Sequence, residues 1–284
     1  MTEQTRFETL AVAVDGRIAR LTLNRPEKLN PLGAKTLQEL AEAARWLDTQ
    51  AEVRVVVVRG AGRAFSAGAD VEELIDLHRR GRVEEIRRRV RLGSEIVGVV
   101  QRMDKPVVAA VNGVAAGAGC NLALACDVRV GSDRAVFVES FVRVGLVPDW
   151  GGFRNLVRLV GAGRAADLMM TGARVDAEQA LAIGILQRVF PEPTFWDDVL
   201  DYAQQLATGP PEVLALIKRG IELGTGSALD HQIEGFEESA QQFAFEGRNC
   251  LEGLQAFVEK RRPHFAAASG DRCVDDRSHD GDEV

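Results

Sequence analysis

Two stretches of the chain carry residue types that could work on a single oxygen atom. They are Gly62-Arg63-Ala64-Phe65-Ser66-Ala67-Gly68-Ala69-Asp70 and Asn112-Gly113-Val114-Ala115-Ala116-Gly117-Ala118-Gly119-Cys120. Nearly all their side chains are small, and each stretch leads into a helical pattern. The first N–H groups of a helix have no intrahelical acceptor, and small residues let a ligand atom approach them. Two such loops side by side can hold one oxygen between two N–H groups, which stabilises an oxyanion. Either loop alone also fits a tight strand-to-helix turn. The pair, in matching settings, points to one shared site.

The elements that must position these loops are legible in the hydrophobic pattern. Each loop follows an apolar, β-branched run, residues 53–58 and 107–111, as expected of strands buried on both faces. Residues 10–14 and 18–23 read as strands around Asp15-Gly16, and residues 31–50 as a helix with Leu37, Leu40, Ala44 and Leu47 near one face. Residues 71–103 read as one mostly helical region, residues 121–126 as a helix, and residues 127–130 and 135–138 as strands. Alternating strands and helices over residues 10–190 predict an α/β layered domain. Beyond Pro193 the pattern is helical, over residues 196–208, 211–223, 229–245 and 250–260. The expected organisation is a core over residues 1–200, a helical region over 201–265 and a disordered acidic tail over 266–284.

Composition narrows the function classes. With 284 residues, 46% of them hydrophobic, the chain can build one large core with a helical appendage. A net charge of -7 argues against sequence-independent binding of nucleic acid. Cys120, Cys126, Cys250 and Cys273 have neither metal-site spacing nor nearby His partners, so no metal is expected, and their scatter suggests a reducing compartment. Residues 1–8 are polar, without a signal-like apolar segment, and no run approaches the ~20 apolar residues of a membrane span. The expectation is a cytoplasmic protein with no membrane partner.

At the two loops the chain resembles the enoyl-CoA hydratase/isomerase family, the crotonase superfamily. The resemblance extends to Asn24-Arg25-Pro26-Glu27-Lys28-Leu29-Asn30, to Lys105-Pro106-Val107, to Gly145-Leu146-Val147-Pro148-Asp149 and to Phe257-Val258-Glu259-Lys260-Arg261. It implies a crotonase-like spiral of β-β-α units with a C-terminal helical trimerisation region. It also implies a homotrimer or a hexamer built as a dimer of trimers. The implied substrate is an acyl-CoA thioester, with coenzyme A entering only as part of it and no permanently bound cofactor. Carried over by motif, the backbone N–H groups of Ala69 and Ala118 hold the thioester oxygen as it becomes an enolate. Arg25, Lys28, Leu29 and Ala67 hold the coenzyme A portion, with Lys260 contributed by a neighbouring subunit. Gly68, Asp70, Gly117, Asn121, Phe141 and Trp150 complete the implied binding set, Asp70 as a cap that orients the first loop.

Carboxylates separate the reactions open to such a site. Hydratases of the family use two glutamates, and the matching positions here hold Asn121 and Phe141, neither able to exchange a proton near neutral pH. Glu139 shares a face with Phe141 in a strand, but bringing it to that position needs a register shift that also displaces Gly145-Leu146-Val147-Pro148. Asp149 then remains. It reads as the N-cap of a helix starting near Gly151, or as the single base of an isomerase, the role its counterparts resemble in ring-epoxide and Δ3,Δ2-enoyl-CoA isomerases. The base reading is adopted: isomerisation through an oxyanion-stabilised enolate, with Asp149, Ala69 and Ala118 as catalytic groups. The alternatives are an enoyl-CoA hydratase, or a catalytically weak acyl-CoA or RNA-binding relative. The run Arg79 to Arg91 is interrupted by Glu84 and Glu85 and lacks aromatic residues, which fits a solvated helix better than an RNA surface.

Overall fold

The apolar β-branched runs form the centre of a seven-stranded sheet, and the small-residue loops contain two strands of a second, four-stranded sheet. A computed structural model describes residues 3–225, 239–243, 245 and 247–266. In chain order the strands are β1 (Glu3–Arg6), β2 (Leu10–Asp15), β3 (Ile18–Leu23), β4 (Val55–Gly60), β5 (Ala64–Ser66), β6 (Val107–Val111), β7 (Val114–Ala116), β8 (Val128–Ser132), β9 (Val136–Val138), β10 (Arg174–Asp176) and β11 (Arg188–Phe190). The larger sheet runs β1-β2-β3-β4-β6-β8-β11 and the smaller β10-β9-β7-β5. From β3 to β11 the larger sheet is parallel, and β5, β7 and β9 are parallel in the smaller one.

Each turn of the chain adds a strand to the larger sheet, a strand to the smaller one, and then helix. Helix α1 (Ala34–Thr49) precedes the first such turn; α2 (Val71–Arg79) and α3 (Val83–Arg102) close it, α4 (Ala118–Ala125) closes the second, and α5 (Gly152–Val160) and α6 (Ala162–Thr171) the third. Helices α7 (Ala177–Ala182) and α8 (Phe195–Ala207) follow. The expected single helical region over 71–103 is thus two helices. The chain breaks at Gly81, whose φ of +62° suits a residue without Cβ. The expectation that the two small-residue stretches are simple loops is also corrected, since β5 and β7 pair inside them. β1 was not foreseen either; it adds to the sheet edge by pairing antiparallel with β2.

Continuous apolar strands arise because the larger sheet is covered on both sides. Val56, Val58, Val107 and Val111 face the core with Leu40, Phe65, Ile96 and Leu122, while Val55, Val57, Val108 and Val130 pack against Phe195, Val199, Ala203 and Ala207. That second contact fixes α8 to the sheet. The compact unit therefore ends after Ala207, and α8 spans the boundary expected at residue 200. Buried Lys105 closes the end of α1 by donating to the Leu47 and Gln50 carbonyls at 2.9 and 2.7 Å. The second unit contains α9 (Pro211–Gly224) and α10 (Arg248–Glu259), with the Asn249 side chain bonded to Glu212 and to the Ala266 N–H. The helix expected over 229–245 lies mostly outside the described residues, as does the acidic tail beyond residue 266.

Candidate active site

Parallel order in the smaller sheet places three strand ends in one row. Ser66 pairs with Ala115, and Ala116 with Val138. The Gly117 N–H continues the ladder to the Val138 carbonyl at 2.9 Å. Residues 67–70, Gly117 with Ala118, and Glu139 therefore follow one another across the carboxyl ends of β5, β7 and β9, where open parallel sheets bind ligands.

The first loop is laced to the Arg25–Asn30 segment by its own polar groups. Asn30 donates to the Ala61 and Ala64 carbonyls, each at 2.9 Å, and accepts from the Arg25 N–H. Ser66 Oγ donates to the Asn30 carbonyl at 2.8 Å and accepts from the Gly68 N–H at 3.1 Å. The Ala67 N–H donates to Leu29, and the Leu32 N–H to Gly68. Gly68 is the point where the two loops meet. Its φ is +89°, and a Cβ there would lie 2.6 Å from the Ala116 carbonyl oxygen and 3.6 Å from the Ala118 nitrogen. Gly117, with φ +50°, caps α4 without a side chain and leaves Ala118 as its first residue. Among the described residues, the N–H groups of Ala69 and Ala118 donate to no acceptor in the chain. Two adjoining unused donors are what holding an oxyanion requires.

Asp149 is half-buried, and one of its carboxyl oxygens, Oδ1, is inaccessible and without a hydrogen-bond partner. Burial pushes its pKa up to about 6. It does not cap α5. The N-cap is Gly151 in the left-handed region, and no side chain caps that end. What α5 uses is the Asp149 main-chain oxygen, which accepts from the Gly152 N–H at 2.8 Å. The same oxygen accepts from Asn121 Nδ2 at 2.9 Å, so Asn121 fixes the backbone of Asp149. Trp150 is buried, with its indole on Gly93 of α3, where a Cβ would overlap it. Its own φ of +48° is strained for a side chain of that size, and such strain gathers at functional sites.

Glu139 is the residue that sequence reasoning left out of the site. It is 3% exposed, and among the described residues its carboxyl oxygens have no hydrogen-bond partner beyond the neighbouring Cys120 thiol. Burial is the main cause that pushes its pKa up to about 7; the Asp149 charge adds to this, and the neighbouring Cys120 thiol offsets a part. Burial and the Glu139 carboxyl push the Cys120 thiol up in turn. Glu139 does not take the place of Phe141: β9 ends at Val138 and a 3-10 helix follows over Ser140–Val144, so the two do not share a strand face as expected. Phe141 is buried too, its ring 3.8 Å from where a Gly117 Cβ would stand. The signal was present in the alternation Phe137-Val138-Glu139, which puts residues 137 and 139 on one face.

The remaining expected residues divide into groups. Arg25, Leu29, Ala67, Gly68 and Asp70 are brought together. Asp70 caps α2 at Glu73 N–H and pairs with Arg25 at 3.2 Å, while Lys28 pairs with Glu72 at 2.9 Å on the surface. Lys260 is exposed in the second unit, in the left-handed region with φ +54°. The basic stretch is laced with acids: Arg80 pairs with Asp76, Arg87 with Glu84, and Arg89 with Glu73 and Glu85. Among the described residues, no cluster of His, Cys, Asp or Glu could hold a metal ion, and no helix is long and apolar enough to cross a membrane.

A spiral of β-β-α turns with two unused N–H donors, a buried carboxyl at one strand end and a half-buried one before α5 defines a class of α/β protein, and the comparisons agree on which. The family described as Enoyl-CoA hydratase/isomerase matches residues 14–268. The 1,2-epoxyphenylacetyl-CoA isomerase of Escherichia coli is 36% identical over 260 residues, covering 91% of this chain and 98% of that protein. The short-chain-enoyl-CoA hydratase of Clostridium acetobutylicum is 34% identical over 250 residues, covering 87% and 94%. The crystal structure of an enoyl-CoA hydratase from Bacillus anthracis superposes with a TM-score of 0.85 at 32% identity, over 91% of this chain and 99% of that one. The chain belongs to the enoyl-CoA hydratase/isomerase family, the crotonase superfamily.

Proposed function

We propose that the protein isomerises an acyl-CoA thioester. Asp149 takes a proton from one carbon and returns it to another, while the Ala69 and Ala118 N–H groups hold the enolate oxygen. The observation that carries this reading is the Asp149 carboxyl: released from helix capping, partly desolvated and with Oδ1 unpartnered. Its pKa of about 6 suits a base that must both accept and release a proton near neutral pH. Arg25, Lys28, Leu29 and Ala67 would hold the coenzyme A portion, with Lys260 reaching it from a neighbouring subunit of a trimer. Mass photometry of the full chain tests that assembly; a monomer would overturn it.

Hydration is the second reading. It is favoured by Glu139, a second buried carboxyl, and by relatives that bear hydratase names. Incubation in D2O with a 3-enoyl-CoA and, separately, a 2-enoyl-CoA, followed by mass spectrometry, separates the two. Double-bond movement with deuterium uptake and no added water, lost in Asp149→Asn, supports isomerisation. Formation of 3-hydroxyacyl-CoA supports hydration and overturns the isomerase.

A further inference from the structure

Glu139 is placed by backbone topology rather than by local preference. It is the first residue after β9, beside the ends of β7 and β5 in one parallel ladder, and so in the same row as Gly117-Ala118 and residues 67–70. The first turn of α4 then connects it to Asp149. Gly117 N–H is bonded to Val138, the residue before Glu139; Asn121 is bonded to the Asp149 carbonyl; and Cys120, between them, neighbours the Glu139 carboxyl. Three carboxyl oxygens around this turn are inaccessible and, the Cys120 thiol aside, unpartnered: both of Glu139 and Oδ1 of Asp149.

A buried carboxyl whose neighbouring donor is only a thiol, a weak one, is expensive, and buried polar groups that serve only architecture find stronger partners. Among the described residues, no cation compensates this one. Asp149 and Cys120 are the titratable groups that act on it. Arg143, Arg164, Asp167, Arg174, Asp176 and Glu178, on the elements packed around β9 and the turn after it, are all exposed. Two carboxyls in such surroundings do not ionise independently.

We propose that Glu139 works with Asp149 as one coupled carboxyl pair, Asp149 meeting the substrate and handling the proton, Glu139 acting as a positioning residue through the charge it places beside Asp149. The inference rests on the reading of Asp149 as the base. When Asp149 takes a proton, the substrate C–H bond breaks, its electron pair stays on the enolate, and a new O–H bond forms on the carboxylate. Return of the proton to the second carbon reverses that bookkeeping at Asp149. Glu139 supplies neither proton nor electrons; its charge state decides whether a second negative charge opposes the developing enolate.

The test is the pH dependence of kcat and KM for wild type, Glu139→Gln and Asp149→Asn, using the enoyl-CoA that turns over. Wild type is expected to show a rising limb near pH 6 and a falling limb near pH 7, the apparent values of the coupled pair. Glu139→Gln is expected to keep the rising limb, lose the falling limb and hold KM within about threefold. Superimposable profiles of wild type and Glu139→Gln, with Asp149→Asn inactive, would overturn the pair and leave Asp149 as a lone base. Full activity of Asp149→Asn would overturn the base reading itself. A carboxyl-carbon NMR titration of the wild-type protein, labelled at Glu and Asp, does not depend on a variant folding. A Glu signal moving near pH 7 and coupled to an Asp signal near pH 6 supports the pair. All Glu signals titrating in the ordinary range would overturn it.

Discussion

Replacing Glu139 by Gln measures what an unpaired buried carboxyl costs this fold. In the folded chain its pKa rises from an ordinary 4.5 to about 7. The folded state therefore holds the proton more tightly than the unfolded state does. Stability from this group is fully present below about pH 4.5 and is lost as pH rises toward about 7, because each ionisation must then be made in a dry site. With Glu139 3% exposed, solvent screening takes little away. The loss amounts to about 3 kcal/mol by alkaline pH, or about 6–12 °C in Tm for a unit of this size. Gln is close in shape and never ionises. Its buried amide adds a penalty of about 1–3 kcal/mol that does not vary with pH. The informative quantity is therefore the pH dependence of the difference between the two proteins. Urea unfolding or calorimetry of both, at several values between about pH 4.5 and about pH 8.5, reads it directly. Glu139→Gln should gain about 3 kcal/mol on wild type across that span. A difference that stays constant with pH would mean that Glu139 is solvated or paired, and would refute the burial argument.

Other outcomes follow from the same geometry. Asp149→Asn should lower kcat by about 10²–10⁴-fold while acyl-CoA affinity, measured by calorimetry, changes only a few-fold. Wild-type turnover should halve near pH 6 and fall further in acid as the Asp149 base is protonated; a flat profile down to about pH 4.5 would exclude a base with that pKa. Gly68→Ala forces a Cβ to 2.6 Å from the Ala116 oxygen at φ +89°. It should cost about 2–4 kcal/mol in denaturation and, by displacing the Ala69 N–H, about 10²-fold in kcat. Asn121→Ala removes the bond to the Asp149 carbonyl from a site with no solvent access. It should lose about 1–3 kcal/mol of stability and lower kcat more than it raises KM.

Much of this protein is local, and residue order alone determined it. Apolar runs such as residues 55–58 and Val107–Val111 read as strands covered on both faces, since they have no polar side for water. The small-residue loops after them could only be places of close backbone approach, and Gly68 and Gly117 occupy conformations that L side chains rarely adopt. The cap at Asp70 followed equally from short-range chemistry.

Tertiary structure decided the charges. Asp149 read as a base in preference to a helix cap, and the structure gives the N-cap of α5 to Gly151, with no side chain capping that end. Glu139 lies only two residues from Phe141, yet its burial depends on β9 lying beside β7, whose partner strand begins more than twenty residues earlier in the chain. A carboxyl's pKa is set by what surrounds it in space, and strand order brings Cys120 and Asp149 to Glu139 from two different segments. Periodicity reports which face of an element a residue occupies; whether that face is dry, paired or charged is settled only when the elements pack.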